Sequence, residues 1–270
     1  MTQADYWNHD AGFVWVEENE ALDAMLAPLG AAALAALAPA AGENVLDIGC
    51  GAGATSRAIA ARVAPGGAVT AVDISAPLVD LAMRKGGDIT YICADAGRDP
   101  LPHAPFDAAF SRFGVMFFED PTAAFAHIGA AMKPGGRLAF ICWRTMAENA
   151  WARETIMAGL PFLKAPPTPP DPTAPGPFAF ADKARTAGIL AAAGWRDITI
   201  NPLDTDYVLG PNARATAPKM LRIGPLGRLI REQEIDPAGV VGAIETLLQR
   251  YETPAGVAMK AACWIVTAKR

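Results

Sequence analysis

Val45-Leu46-Asp47-Ile48-Gly49-Cys50-Gly51-Ala52-Gly53 is a short apolar run that turns into glycines at every second position. Asn44 to Ile48 reads as a buried strand, and Thr55 to Val63 as the helix that follows it, stopped by Pro65-Gly66-Gly67. Glycine lacks a Cβ, so a ligand can lie directly on the backbone of such a turn. The start of the helix adds unpaired N–H groups and the positive end of a dipole. Together these suit a carboxylate or a phosphate. Gly49, Gly51 and Ala54 also satisfy the G-x-G-x-x-G/A spacing of a dinucleotide turn.

Working outward, strands and helices alternate. Ala68 to Ile74 reads as a second strand, then a helix capped by Ser75 with Pro77 in its first turn. Ile89 to Ala94 reads as a third strand, and Phe106 to Phe110 begins a fourth. Asp120-Pro121 starts a helix that Gly135-Gly136 is expected to end, and Arg137 to Trp143 makes a fifth strand. Such βα repeats predict a parallel sheet covered by helices. Asp182 caps a helix stopped by Gly194, Asp197 to Leu209 reads as a sixth strand, and Ala261 to Thr267 as a last one. Before the first strand, about Asp10 to Leu37 reads as helix interrupted by Pro28, and Arg214 to Tyr251 as a helical insertion. The expected architecture is α/β: a Rossmann-like, seven-stranded, mostly parallel sheet with helices on both faces. An N-terminal helical cap covers 1–42. The core covers 43–210 and 252–270 and carries a Pro-rich loop at 161–177. A helical lid over 211–251 is inserted before the last strand.

The 270 residues are 52% hydrophobic and 19% charged, enough apolar material for one large core. A net charge of −5 without a block of like charges argues against a nucleic-acid partner. No stretch reads as a membrane span, the Ala-rich run from Gly30 being short and broken by Pro39. The N-terminus lacks a basic segment leading into an apolar run, so no secretory signal is read there. Cys50, Cys93, Cys142 and Cys263 are isolated, so no metal site is expected, and reduced thiols point to the cytoplasm.

DIGCGAG at 47–53 closely resembles motif I of class I S-adenosylmethionine (SAM)-dependent methyltransferases. AVDIS at 71–75, CADA at 93–96, FDAAFSRFGVMFF at 106–118 and MKPGGRLAFICW at 132–143 resemble the family's later motifs in order and spacing. The likeness covers residues 43–144 and is nearest to the small-molecule branch that includes ubiquinone/menaquinone-type C-methyltransferases. It implies SAM as cofactor, held by Asp47, Gly49, Gly51 and Gly53 at its amino-acid end. By the same resemblance Asp73 binds the ribose, Ile74 packs on adenine, Asp95 and Ala96 hold the adenine amine, and Ser111 joins the cofactor set.

Ligands in open α/β sheets bind beyond the carboxyl ends of the strands. That rule puts Arg112 and Phe113, after the fourth strand, and Trp143 and Arg144, at the end of the fifth, beside a small-molecule substrate. His9 and Tyr6, in the expected cap, are the candidates for a base or orienter. His103 and His127 read as structural or solvated. Arg214, Arg222, Arg228 and Arg231 could recognise an anionic substrate or form a solvated face. The glycine turn alone also admits an NAD(P)-dependent oxidoreductase. A non-catalytic SAM-binding module is the third reading.

Overall fold

The computed structural model describes residues 2–168 and 171–270. Pro169 and Pro170, within the Pro-rich stretch 161–177, lie outside the described residues. Among the described residues there are eight strands: β1 (Asn44–Ile48), β2 (Ala68–Asp73), β3 (Thr90–Cys93), β4 (Phe106–Arg112), β5 (Met132–Trp143), β6 (Arg196–Gly210), β7 (Glu252–Thr253) and β8 (Gly256–Lys269). They form one sheet in the order β3-β2-β1-β4-β5-β8-β6, with β7 a two-residue partner of β8. Strands β1 to β5 pair in parallel, and β8 runs antiparallel between β5 and β6. The chain order reverses between β1 and β4, and a crevice opens at such a switch point beyond the strand ends.

Three helices precede the sheet where one interrupted helix is expected: α1 (Gln3–Asn8), α2 (Asp10–Glu17) and α3 (Asn19–Leu37). Pro28 lies inside α3 and does not break it. An interior proline costs about 3 kcal/mol. Five buried leucines, Leu22, Leu26, Leu29, Leu34 and Leu37, outweigh it at roughly 1.5–3 kcal/mol each. By length and composition α3 is apolar enough to cross a membrane, contrary to the expectation from sequence. In the fold its leucine face instead packs on β4, β5, β6 and β8.

Between the strands lie α4 (Ala54–Val63), α5 (Ala76–Lys85), α6 (Pro121–Ala130), α7 (Ala150–Gly159) and α8 (Lys183–Ala192). Asp120 and Asp182 cap α6 and α8 as expected, each accepting from a backbone N–H three residues on. Ser75 occupies the cap position of α5, but its hydroxyl donates to the Trp7 carbonyl instead of capping. Gly135-Gly136 does not end α6. That helix stops at Ala130, and the glycines sit in an irregularity of β5, which starts at Met132. The segment before β7 contains three helices, α9 (Ala213–Met220), α10 (Gly224–Glu232) and α11 (Pro237–Gln249).

Candidate active site

A cavity of about 280 Å³ opens beyond the carboxyl ends of the strands. One half is walled by the ends of β1, β2 and β3: Ile48, Gly49, Gly51, Asp73, Ile74 and Ala96. The other half is walled by the ends of β4, β5 and β6, through Arg112, Phe113, Trp143, Tyr207 and Leu209, with Met220, Ile223 and Gly224 from the α9–α10 segment. The N-terminal helices close it with Gln3, Trp7, Trp15, Leu22 and Met25.

The glycine turn is built for backbone approach. Gly49, Gly51 and Gly53 have φ of +67, +53 and +77, conformations that side chains with a Cβ adopt at a cost. The three glycines do different jobs. A Cβ on Gly49 would come within 2.7 Å of the Gly114 Cα, so Gly49 and Gly114 let the loops after β1 and β4 touch at the switch point. A Cβ on Gly51 would meet nothing within 4 Å, because it would point into open space where Gly51 lines the cavity. A Cβ on Gly53 would collide with the Tyr91 hydroxyl at 2.4 Å, which makes Gly53 a packing glycine outside the cavity lining.

Asp73 joins the turn to the second strand. One carboxylate oxygen accepts from the Gly51 N–H at 2.7 Å and the other from the Ser75 N–H at 2.8 Å. Each oxygen keeps a second lone pair, so the carboxylate can still accept from a pair of hydroxyls in the cavity. Burial pushes its pKa up, and the hydrogen bonds from Ser75, Gly51 and Ile74 oppose that. Asp95 also lines the cavity, but its carboxylate accepts from the Gly97 N–H at 2.9 Å and pairs with Arg98 at 3.1 Å. Ile74 and Ala96 line the same half, as the resemblance implies.

Asp47 and Ser111 hold the scaffold and do not line the cavity. Asp47 is fully buried, and one oxygen accepts from the Thr55 hydroxyl at 2.8 Å and the Ser56 hydroxyl at 2.6 Å, clamping β1 to the start of α4. Its other oxygen has no hydrogen-bond partner among the described residues. Burial pushes its pKa up to about 6, against the opposing Ser56 and Thr55 hydrogen bonds. The folded value lies above the unfolded one, so this group costs stability as pH rises through about 4 to 6 and leaves the cost in place above that. Asp47→Asn keeps an acceptor for both hydroxyls and carries no charge. The variant should lose that decline and gain up to about 3 kcal/mol at pH 7.5, measured by denaturant melts across pH. A decline unchanged in the variant would show that Asp47 is not its source. Ser111 donates to the Ile48 carbonyl at 2.8 Å and accepts from the Gly114 N–H at 3.1 Å, tying the β4 exit to the β1 exit.

The substrate-side candidates divide in the same way. Phe113 stacks on Trp143 with ring centroids 4.3 Å apart at 15°, and both line the cavity. Trp143 in turn meets Trp151 at 4.9 Å and Tyr207 at 5.5 Å. Arg112 lines the cavity and pairs with Asp23 of α3 at 2.6 Å. Arg144 is turned away: it pairs with Asp204 at 2.8 Å and with Glu148, and lies over the Trp264 ring. Arg222, between α9 and α10, pairs with Glu17 at the end of α2 and with Glu18 next to it, and Arg228 pairs with Glu232.

His9 and Tyr6 do not line the cavity. His9 is exposed and its Nδ1 contacts the Asp5 carbonyl, while Tyr6 packs edge-on against Trp7. Their neighbours carry the contacts instead. Trp7 packs edge-to-face on Trp15 and Phe117 and lines the cavity. Asn8 donates to the Ile74 carbonyl at 2.9 Å and accepts from the Ala76 N–H at 2.8 Å, pinning the cap to the loop that carries Asp73. Helix α1 is only six residues long, too short to hold itself in place without such anchors. Asn8→Ala should therefore free the cap at a cost of about 1–3 kcal/mol. It should speed proteolysis at the N-terminus several-fold while the global melting transition moves little. Unchanged cleavage would refute the anchoring role.

Gln3 and Tyr207 are cavity residues that the sequence did not single out, whereas Gly114, expected near the methyl, and Trp15, readable as a covering aromatic or a core residue, both line it. The available signal for Tyr207 was position, since it lies near the end of a strand on the ligand side of the sheet.

A mostly parallel sheet with a glycine turn at β1, an acid at the end of β2 and a cavity at the switch point defines a Rossmann-like protein whose site suits an adenosyl cofactor. A family model described as "Methyltransferase domain" matches residues 45–136. A demethylmenaquinone methyltransferase of Paenarthrobacter aurescens is 30% identical over 174 residues, 62% of this chain and 68% of that protein. An uncharacterised methyltransferase of Mycobacterium tuberculosis is 36% identical over 116 residues, 42% of this chain, and the match spans 57% of that relative's length. The solved Haemonchus contortus phosphoethanolamine N-methyltransferase 2, in complex with S-adenosyl-L-methionine, has a similar fold at 17% identity. Its TM-score is 0.56, with all of this chain and 60% of that one covered. The chain belongs to the class I SAM-dependent methyltransferase family. Its cofactor is SAM, and the dinucleotide alternative is set aside.

The cavity fits that group. The open space over Gly51 is a cradle that a Cβ would fill. Asp73 presents acceptors to a diol, and the buried Gln3 Oε1 in the cavity wall has no hydrogen-bond partner among the described residues.

Proposed function

We propose that this protein transfers a methyl group from SAM to a small, largely apolar molecule held in the half of the cavity beyond β4, β5 and β6. The observation that carries the reading is the continuity of the cavity. Gly51 and Asp73 line the same cavity as the aromatic wall of Phe113, Trp143, Trp151 and Tyr207. When bound, SAM supplies an electrophilic methyl on a sulfonium. Gly49, Gly51 and the α4 N-terminus would hold its amino-acid end, Asp73 its ribose, and Ile74 and Ala96 would flank the adenine. Trp7, Trp15 and Gln3, from the cap, exclude water from the junction between the two halves. Alignment and dryness are the main contributions such a site can make to an in-line displacement. A small-molecule acceptor is supported by the largely apolar walls of the cavity and by the relative named for demethylmenaquinone. The isolated, unpaired cysteines suit action in the cytoplasm.

Thermal melts with S-adenosylhomocysteine test the cofactor half. At a hundred times Kd the ligand adds about 2.7 kcal/mol, a shift of several degrees for a chain of this size. Isotopically labelled methyl donor incubated with a metabolite extract tests the transfer. A shift without label incorporation into any small molecule would leave a SAM-binding module and remove the enzyme.

A further inference from the structure

The acceptor half of the cavity contains almost no proton chemistry. Among the described residues that line the whole cavity, the ionisable side chains are Asp73, Asp95, Arg98, Arg112, Glu119 and Tyr207. Asp73 and Asp95 belong to the cofactor half, Arg98 is paired with Asp95, and Glu119 sits beyond β4 beside Phe118 at the same end as Ala96. Only Arg112 and Tyr207 remain on the aromatic side. Neither serves as a base. Tyr207 is almost fully buried, and burial drives its phenol pKa far upward, an effect that Cys263 strengthens and Arg112 opposes, so the hydroxyl stays protonated and can donate. That hydroxyl makes no hydrogen bond among the described residues, although its ring is fixed against Trp143 and Trp151. Arg112 spends one Nη2 hydrogen bond on Asp23 and has further N–H donors on the same planar fork. Asp23 is about a quarter exposed, so water screens its charge more than it screens the guanidinium, which is 11% exposed.

Resting on the methyltransferase reading, we infer that the acceptor is a flat apolar acid whose oxygen is already ionised when it enters, held by Arg112 and Tyr207 against the Phe113–Trp143 stack. Two donors and an aromatic shelf fit an anionic oxygen on a planar body and leave a neutral alcohol without the base it would need. The chemistry balances without a proton acceptor. A lone pair of the acid oxygen forms the new O–C bond, the C–S bond of the donor breaks with its pair left on sulfur, and the two formal charges cancel. A carboxylate and a strongly acidic enol share this chemistry.

The experiment uses the full chain saturated with S-adenosylhomocysteine, whose own melting shift reports the cofactor half independently. Calorimetric titration then compares benzoate, 2-naphthoate and decanoate with their carboxamides, and adds 4-hydroxycoumarin as the enol arm. At least one acid should bind tenfold or more tightly than its amide, with a ring system favoured over decanoate. Arg112→Met should bring that ratio to within twofold while leaving amide affinity alone. Arg112→Lys, which keeps the charge and guards against a folding defect, should retain part of it. Tyr207→Phe should weaken the acids several-fold. Tight 4-hydroxycoumarin binding with weak carboxylates assigns the enol. If no acid outbinds its amide, and 4-hydroxycoumarin fails as well, the inference falls even where S-adenosylhomocysteine binds. It falls too if Arg112→Met and Arg112→Lys behave alike. Absence of any S-adenosylhomocysteine shift instead removes the methyltransferase reading beneath it.

Discussion

Asp73→Ala should leave a folded protein that binds S-adenosylhomocysteine at least a hundredfold more weakly. The carboxylate is the acceptor positioned for a ribose diol, and its oxygens already hold the turn through Gly51 and Ser75. Hydrogen bonds to a charged group contribute roughly 1.5–3 kcal/mol each, so losing two costs about 3–6 kcal/mol of binding. The alanine also strands the Gly51 and Ser75 N–H groups, which loosens the turn itself. Asp73→Asn separates the two effects. It keeps one acceptor and a similar shape but drops the charge, and should weaken binding by about tenfold to a hundredfold. Calorimetry on both variants, with melting curves to confirm folding, checks the order. Affinity within threefold of native in the alanine variant would detach Asp73 from the cofactor.

Gly51→Val should abolish measurable cofactor binding while the fold survives. The side chain would enter the open space beside the turn, so the folded core has nothing to clash with. The φ of +53 is a different matter: a β-branched residue there costs about 1–3 kcal/mol, a fall of several degrees in Tm. The two readouts therefore part company. The apo melting point drops modestly, and the S-adenosylhomocysteine shift vanishes because two methyl groups stand where the ligand must lie. Gly51→Ala should give an intermediate affinity with less strain. Gly53 offers the contrast, since its added Cβ meets Tyr91 and Arg57 within the protein. Gly53→Ala should lower stability more than Gly51→Ala does, and lower affinity less. A Gly51→Val protein that binds cofactor normally would mean the turn is not the cradle.

Residues that were legible as a group proved to differ individually once their partners were known. Asp47, Gly53 and Ser111 stand at the right end of the sheet, but each spends its polar or steric capacity inside the scaffold: on Thr55 and Ser56, on Tyr91, and on the Ile48 carbonyl. Arg144 directly follows a cavity tryptophan, yet the alternation of a strand turns it to Asp204. In the cap the expectation missed by one residue. Tyr6 and His9 bracket Trp7 and Asn8, and on a helix adjacent residues face different directions, so one step decides which pair meets the core.

The cofactor class came from five motifs spread over 43–144 that resemble a known family, whereas local pattern was enough to determine the parallel βα repeat, the glycine turn, the acid at the end of β2 and the caps at Asp120 and Asp182. Each of these depends on residues a few positions apart, and backbone preference with hydrophobic period acts over that range. Tertiary structure decided that β8 slots antiparallel between β5 and β6, that α3 folds onto the sheet despite its apolar length, and that Arg112 and Tyr207 share one aromatic chamber. Arg112 and Tyr207 line one cavity although they stand far apart in the chain, and Asn8 reaches Ala76 across 68 residues. Contacts of that kind arise only when whole elements bury their faces together, and nothing in the neighbouring residues encodes them.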